Sequence, residues 1–443
     1  MTKKCTVTDV SRFHYHNGSM VDSLSNNNDC IGEDFVVSKY QRYLIAKNRS
    51  TLTGTLFSGD SSAWDISKIN AVQDADVINF HWVSEFLNSE SLQLISNLGK
   101  PLVWTLHDES AYTGGCHYTF GCKNYSESCS SCPQVINKLS WLPEFNLKAR
   151  SKLKTIPISF VCPSNWIQSK LLSSKVFNKN LHRSHVIPNS INLSTFKPLE
   201  TSLIGSIKKE LGIEKDSICI LFGSFSLEDD RKGTELILNS LKKLKELLKT
   251  RKLFSKIVIL SYGKGSLPIN SYDARHCGFL NNDEEIARIL NIADLFISMT
   301  REDNLPNTIM ESLACGTPVI SSDVGGISDM VENGHNGLLI ERDNTMEMAQ
   351  SILYAMLNKS ELTNWSLNAR KTAEQKYSHK KQGSEYLKVF SKLLEDNSFG
   401  EKTGLKKTIG KVPKRISALN SFPSKKYKTK ALNWFKKYSN NEG

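Results

Sequence analysis

The stretch from Ser298 to Asp323 constrains the fold more than any other part of this 443-residue chain. An apolar run, Leu295–Ile297, precedes a polar loop that contains Pro306, and a helix-favouring segment leads to a second apolar run, Pro318–Ser321. This order predicts a strand, a loop, a helix and a second strand, as in an open parallel α/β sheet. Ligands bind at the carboxyl ends of such strands, and a helix that begins there presents backbone N–H groups to an anion. We therefore expect a phosphate-bearing ligand at this loop.

Two carboxylates lie in the same stretch. Asp303 falls in the loop, and Glu311 falls about one turn into the helix that begins near Asn307. Carboxylates accept hydrogen bonds from vicinal hydroxyls, so this combination suits a phosphorylated sugar. The alternative is purely structural: Asp303 caps the helix and Glu311 complements its dipole.

The segment resembles the nucleotide-sugar loop of family 4 glycosyltransferases, which are retaining enzymes. The family signature is two acidic residues with seven residues between them, as in Asp303 and Glu311, and ESLACGTPVIS resembles the helix and strand that follow. The departure is Asp303, which stands where the family usually has glutamate. The resemblance implies the GT-B fold, an α/β architecture of two Rossmann-like domains with parallel sheets facing a central cleft. It assigns the ribose to Glu311, sugar hydroxyls to Asp303 and the donor phosphates to the helix start at Leu305, Pro306 and Asn307.

Other donor-binding residues also follow from the resemblance. The lysine of the RKG turn, Lys232, would reach the donor phosphates together with Arg231, and Ser224 stands where an arginine often joins them. Gly278 and Phe279 would lie near the nucleobase. These cations and the helix start would stabilise the leaving diphosphate, so we expect no catalytic metal. The alternative for the RKG turn is a solvated, charged loop.

The first 70 residues are polar and hard to assign. Complete enzymes of the family that this chain resembles begin with an apolar strand and a Gly-rich turn, and we find neither before Asp76. The resemblance therefore implies either that the first β-α unit of the N-terminal domain is missing or that its strand is supplied unconventionally. From Asp76 onward, DVINFHW and the range 101–107 predict buried parallel strands. His107 then ends a strand, and the resemblance places it on the acceptor side as a catalytic residue. A structural histidine is the alternative.

Four cysteines occur within 17 residues of the next loop: Cys116, Cys122, Cys129 and Cys132. Four thiolates that include a C-x2-C pair can form a tetrahedral structural zinc site. The N-terminus lacks the apolar segment of a signal peptide, which favours a cytoplasmic location and disfavours two disulfides. Unligated thiols are the remaining alternative.

These patterns predict an N-terminal acceptor-side domain over 1–195 and a nucleotide-sugar-binding domain over 196–375. A crossover helix over 376–398 and a basic tail over 399–443 follow. The resemblance implies transfer of a sugar, in the manner of a hexosyltransferase, from a nucleotide-sugar donor to a growing bacterial polysaccharide or lipid-linked oligosaccharide acceptor, with retention. The alternative is a non-catalytic remnant of such an enzyme that binds a sugar nucleotide or a glycan.

Most of the net charge of +12 lies in the tail, where residues 401–443 carry twelve Lys or Arg against two Glu. The tail also contains Trp434, Phe435 and Tyr438. Basic and aromatic residues together favour an anionic membrane surface, so we expect peripheral association with the inner face of the cytoplasmic membrane. A solvated tail without a partner is the alternative. No nucleic-acid partner is predicted, because the tail shows no recognised nucleic-acid-binding fold.

Overall fold

The computed structural model describes residues 7–11, 33–50, 55–61, 65–253, 256–265 and 272–396. The described residues fall into two compact units. Unit 1 contains those in the ranges 1–163 and 167–187 and those from 386 onward, and unit 2 contains 164–166 and 188–385. The predicted boundary at 195 lies a few residues after this division. The predicted basic tail lies outside the described residues.

Unit 1 is built on a five-stranded parallel sheet with the strands in sequence order. Its inner strands are buried almost throughout, as expected for a parallel sheet covered by helices. The strands are β1 (Val7–Ser11), β2 (Val77–His81), β3 (Leu102–Thr105), β4 (Ile158–Cys162) and β5 (Arg183–Val186). The helices among them are α1 (Glu33–Lys47), α2 (Asn70–Asp74), α3 (Ser89–Ser96), α4 (Leu142–Arg150) and α5 (Asn165–Leu172).

The prediction that no strand precedes Asp76 is wrong. Residues Val7–Ser11 form β1, which pairs in parallel with β2, and α1 follows it. β1 lies at the edge of the sheet, and only two of its five residues, Val7 and Val10, are apolar. A search for a continuous apolar run misses such an edge strand, because only buried inner strands need to be apolar on both faces.

Unit 2 contains a six-stranded parallel sheet in the order β11-β10-β9-β6-β7-β8. Its strands are β6 (Ile218–Ser226), β7 (Ile257–Lys264), β8 (Asp273–His276), β9 (Leu295–Ser298), β10 (Val319–Ser322) and β11 (Gly337–Ile340). Its helices are α6 (Thr201–Glu210), α7 (Thr234–Thr250), α8 (Asp283–Ile292), α9 (Asn307–Ala314), α10 (Thr345–Leu357) and α11 (Lys359–Lys376). Two large apolar clusters cover the two faces of this sheet. The predicted fold class, two parallel-sheet α/β domains, is confirmed.

The final helix, α12 (His379–Glu395), spans the division between the two units at residue 386. Its C-terminal part carries Val389, Phe390 and Leu393, which pack in one core cluster with valines of β2, β3 and β4. Among the described residues, no helix combines the length and apolar character that a membrane span requires.

Candidate functional site

The strand order of unit 2 reverses between β6 and β9. The chain runs outward from β6 through β7 to β8, and then returns to the other side of β6 with β9, β10 and β11. In open α/β sheets, the carboxyl ends of the strands at such a reversal flank a crevice, and ligands bind there. The two loops that meet at this point follow β6 and β9, and they contain the predicted donor-binding residues Arg231, Lys232, Leu305 and Pro306.

Backbone contacts hold these two loops together. The N–H of Arg301 donates to the carbonyl of Arg231 over 2.8 Å, and the Arg231 guanidinium donates to the carbonyl of Glu302 over 3.1 Å. Gly233 has a left-handed φ of +68°, and a Cβ there would lie 2.0 Å from the carbonyl oxygen of Met299. Only glycine therefore allows the turn after Lys232 to approach the β9 loop this closely.

Asp303 accepts hydrogen bonds from both predicted cations. Its Oδ2 lies 2.7 Å from Nη1 of Arg231 and 2.7 Å from Nζ of Lys232. Asp303 is only 7% exposed. Burial by itself raises the pKa of this carboxyl, but the charges of Lys232 and Arg231 outweigh burial and hold the pKa well below its usual range. The group is therefore an ionised anchor for two cations at the switch point.

A glycine pair fixes the loop that carries Asp303. The N–H of Gly326 donates to the carbonyl of Asp303 over 3.0 Å. Gly325 has a φ of +61°, and a Cβ there would lie 1.8 Å from the same carbonyl oxygen. The Gly-rich turn after β10 thus packs directly against the backbone of the β9 loop.

Glu311 lies on α9 and is half-buried. Burial, followed by the charge of Asp283, raises the pKa of the Glu311 carboxyl to about 7, although Lys232 acts in the opposite direction. Lys232 therefore influences both acids of the predicted signature. Pro306 is the N-cap residue of α9 and donates or accepts no side-chain hydrogen bond there. The positive end of the α9 dipole is therefore formed by backbone N–H groups without a side-chain cap.

An exposed aromatic pair lies at the carboxyl ends of β6 and β8. The rings of Phe225 and Phe279 meet edge to face with centroids 5.2 Å apart, and Phe225 is 68% exposed. The Lys264 ammonium lies 4.5 Å from the Phe225 centroid and 4.9 Å from the Phe279 centroid. Next to Phe279, Gly278 has a φ of +72° and accepts a hydrogen bond from the N–H of Gly263. Phe225 and Lys264 were not among the predicted residues.

In unit 1, His107 follows β3 and pairs with His81 at the end of β2. Nδ1 of His81 lies 2.9 Å from Nε2 of His107, and Nε2 of His81 lies 2.8 Å from the Asn79 amide nitrogen. Burial and the neighbouring His81 lower the pKa of His107 to about 4, against the effect of Asp108. His107 is therefore neutral at pH 7, with the imidazole pair at the carboxyl edge of the unit 1 sheet.

The structure does not support the predicted zinc site. Cys116, Cys122, Cys129 and Cys132 are all free thiols, and among the described residues no group of three or more Cys, His, Asp or Glu side chains is arranged to hold a metal ion. Burial raises the pKa of Cys129 to about 12.

A buried polar network holds the loop that contains these cysteines. Glu109 pairs with Lys170 over 3.0 Å and accepts from the backbone N–H of Thr119 over 2.7 Å. Arg150 donates to the carbonyls of Ser110 and Thr113. The loop therefore has an anchor that the sequence pattern did not reveal, because its members come from three separate segments.

Comparison with known proteins identifies the core of unit 2. Residues 205–372 match the family model described as "Glycosyl transferases group 1". This matched segment, residues 205–372, is called the group 1 domain below. This group 1 domain contains β6 to β11 and every predicted donor-binding residue.

Curated relatives match over longer stretches at low identity. WcaC of Escherichia coli (strain K12), whose name assigns it to glycosyl transfer in colanic acid biosynthesis, is 24% identical over 62% of this chain and 66% of its own length. The N-acetyl-alpha-D-glucosaminyl L-malate synthase of Bacillus anthracis is 24% identical over 44% of this chain and 51% of its own. The chain thus spans between half and two thirds of these relatives.

Solved structures share the fold over most of the chain. A glycosyltransferase from Rickettsia africae ESF-5 superposes with a TM-score of 0.55 at 17% identity, covering 86% of this chain and 89% of its own. Anabaena Alr3699/HepE in complex with UDP superposes with a TM-score of 0.53 at 17% identity, covering 72% and 80%. These likenesses extend the similarity of fold beyond the group 1 domain, consistent with a GT-B architecture.

Within the group 1 domain, the structure brings together Arg231, Lys232, Asp303 and the start of α9. Glu311 is linked to this group by the charge of Lys232, which acts to lower the pKa of Glu311. Asp283 is a member of this group that sequence reasoning missed. It lies in the first turn of α8, where three successive acidic residues look like simple complements of the helix dipole.

Proposed function

We propose that this chain transfers a sugar from a nucleotide-sugar donor to a polysaccharide or lipid-linked glycan, and that the group 1 domain binds the donor. The supporting observation is the shared contact of Asp303 with Arg231 and Lys232 at the switch point of the unit 2 sheet. Two buried cations at this position, beside the start of a helix, suit a diphosphate.

The chemical task is departure of a nucleoside diphosphate. Negative charge develops on its leaving oxygen, and preorganised cations lower the barrier most when they cost no rearrangement at that moment. Asp303 provides this preorganisation, because it holds both side chains in place before a ligand arrives. A bound diphosphate then competes with the Asp303 carboxylate for the same donors, and the displaced carboxylate can accept from sugar hydroxyls.

The roles proposed for the remaining residues follow from the resemblance to family 4 glycosyltransferases. Glu311 accepts from the ribose hydroxyls, Gly278 and Phe279 approach the nucleobase, and His107 acts on the acceptor side. The transfer retains anomeric configuration. WcaC, by its name, is a glycosyl transferase of colanic acid biosynthesis, which supports a glycan product.

Replacing Lys232 by methionine tests this proposal. The substitution removes the charge and keeps the length of the side chain, so UDP or GDP should lose a charge-assisted hydrogen bond worth about 1.5–3 kcal/mol and bind at least about tenfold more weakly. Calorimetry with both nucleotides, followed by an assay of nucleoside diphosphate release from UDP- and GDP-sugars, makes the measurement.

Lys243→Met is the matched control, since Lys243 lies on α7 and donates to the hydroxyl of Thr345. It should bind the nucleotide like the unaltered chain. Equal affinity in the Lys232 variant would contradict the assignment of the diphosphate site. Nucleotide binding without any release from sugar nucleotides would favour a non-catalytic binding protein.

A second proposal concerns the basic tail, which lies outside the described residues. Each Lys or Arg near an anionic bilayer contributes about 1 kcal/mol, so about half of the tail charges would hold the protein there reversibly. We expect that removal of residues 401–443 abolishes sedimentation with phosphatidylserine vesicles and leaves nucleotide binding unchanged. Binding by the full chain should weaken with added salt. Salt-independent binding, or equal binding by the shortened chain, would assign the membrane contact elsewhere.

A further inference from the structure

Trp82 has a strained backbone. Its φ of +24° lies in the left-handed half of conformational space, where bulky side chains are rarely found, and Glu85 in the same turn has a φ of +62°. The turn directly follows β2 in unit 1. Strain of this kind persists only where neighbouring groups enforce it, and it is concentrated at functional sites.

A buried network fixes the edge of the Trp82 indole. Its Nε1 donates to Oδ2 of Asp108 over 2.7 Å, and the same oxygen lies 2.7 Å from Nδ1 of His117. Nε2 of His117 lies 2.7 Å from the hydroxyl of Ser58, and Oδ1 of Asp108 accepts from the N–H of Ser110 over 2.8 Å. The indole therefore cannot rotate without breaking a contact to a buried carboxylate.

The same network resembles a nucleophile, base and carboxylate in order, as in serine hydrolases. Ser58 and His117 are each only 3% exposed, however, so no substrate carbonyl can reach the Ser58 hydroxyl. A hydrolytic role is therefore rejected, and positioning of Trp82 is the remaining role for the network.

Trp82 itself is half-buried and lies at the carboxyl edge of the unit 1 sheet, one residue after His81. His81 and His107 stack with centroids 5.2 Å apart and bring ring nitrogens to that edge. A rigid aromatic face beside a few fixed polar groups is the usual composition of a small-molecule site. It suits a sugar ring in particular, since the C–H bonds of one pyranose face pack on the electron-rich indole face while the hydroxyls take the hydrogen bonds.

We propose that Trp82 is the platform on which a sugar ring of the acceptor glycan stacks. Asp108, His117 and Ser58 are positioning residues that fix the plane of the indole. The identity of this sugar as the acceptor rests on the proposed function, because an enzyme that extends a glycan must hold a sugar ring of that glycan apart from its donor.

Fluorine NMR of the full chain labelled with 5-fluorotryptophan tests the proposal. The chain has seven tryptophans, and the resonance missing from Trp82→Phe identifies Trp82. Methyl glycosides of glucose, galactose, mannose and N-acetylglucosamine serve as probes, with and without saturating UDP. Saturation-transfer NMR gives the affinity of each glycoside for variants that lack the reporter.

We expect at least one glycoside to shift the Trp82 resonance in a saturable manner. Trp82→Ala should weaken binding of that glycoside at least tenfold, whereas Trp82→Phe, which keeps an aromatic face, should weaken it less. Trp141→Ala is the matched control: Trp141 is half-buried in the same unit, has an ordinary φ of −74° and donates to the carbonyl of Lys138. The affinity of Trp141→Ala for the glycoside should be unchanged.

The proposal is overturned if no glycoside shifts the Trp82 resonance, or if Trp82→Ala binds the glycoside as well as the unaltered chain does. Calorimetry with UDP on the same samples tests the proposed function separately. A chain that binds UDP but shows no glycoside effect disproves only the platform. If the chain binds a glycoside at Trp82 but does not bind UDP, the sugar platform is supported and the proposed donor site is disproved. If Trp82→Ala does not fold, the shift in the unaltered chain and the affinity of Trp82→Phe decide.

Discussion

Replacing Glu311 by glutamine should make the ligand-free protein more stable at pH 8. In the native state the pKa of Glu311 is raised to about 7, whereas an unfolded glutamate ionises near its ordinary value of 4.5. Holding the ionised group in the fold at pH 8 therefore costs about 3 kcal/mol. Glutamine is neutral and nearly isosteric, so it avoids that cost. For a unit of this size we expect the melting temperature to rise by roughly 5–10 °C.

The stability gained by Glu311→Gln should depend on pH. Because the native pKa is raised, the destabilisation is complete above about pH 7 and disappears as the pH falls toward the unfolded value of 4.5. The difference in melting temperature between the variant and the unaltered chain should therefore be largest at pH 8 and should shrink as the pH falls from about 7 to 5. Glu332→Gln, which changes an exposed carboxylate of the same unit, should show no such difference. Equal melting temperatures of the Glu311 variant and the unaltered chain at pH 8 would contradict the burial argument.

The same substitution should weaken donor binding by tenfold or more, since an ionised carboxylate can accept two charge-assisted hydrogen bonds from the ribose. UDP-glucose is the better probe than UDP here, because its diphosphate has no ionisation near pH 6. Its affinity for the unaltered chain should increase as the pH rises through about 7, and its affinity for the variant should stay flat. An unchanged affinity would remove Glu311 from the proposed site. A gain in stability together with a loss of binding is the expected signature of a residue retained for function.

The sequence pattern predicted what depends on local order along the chain. A polar loop between an apolar strand and a helix places Asp303 and Glu311 at one strand end, and the structure has this strand, loop and helix as β9 and α9. The edge strand β1 escaped detection because an edge needs no continuous apolar run.

What the pattern could not predict depends on strand order. The contact of Arg231 with Asp303 requires β6 to lie beside β9, with β7 and β8 on the other side, and no local feature of residues 218–300 specifies that order. The strained backbone of Trp82 depends in the same way on contacts with Asp108 and on Ser58, which come from distant segments.

For the four cysteines, the sequence pattern predicted a site that the structure does not support. Their spacing alone predicts a zinc site, but the loop is held instead by the buried ion pair of Glu109 with Lys170 and by hydrogen bonds from Arg150.

Replacing Asp303 by asparagine should destabilise the ligand-free protein and enlarge the stabilisation that a nucleotide provides. Arg231 and Lys232 are largely buried, with side chains 16% and 19% exposed, and Asp303 is the carboxylate that contacts both. Removing one partner of a buried ionic group costs about 3 kcal/mol, although Arg231 keeps a longer contact of 3.4 Å with Asp229. We expect the melting temperature to fall by roughly 5–10 °C at pH 7. Asp323→Asn, an exposed site after β10, is the control and should change it little.

A diphosphate restores the missing charge, so saturating UDP should raise the melting temperature of the Asp303 variant more than that of the unaltered chain. Acid provides a second check. The pKa of Asp303 is depressed in the native state, so its contribution is present above the unfolded value near 3.9 and is lost as the pH falls below it. The variant should therefore differ from the unaltered chain by a constant amount between pH 5 and pH 8, and the two should converge in stronger acid. A larger response of the unaltered chain to UDP would show that Asp303 assists the nucleotide directly and does not merely hold the cations for it.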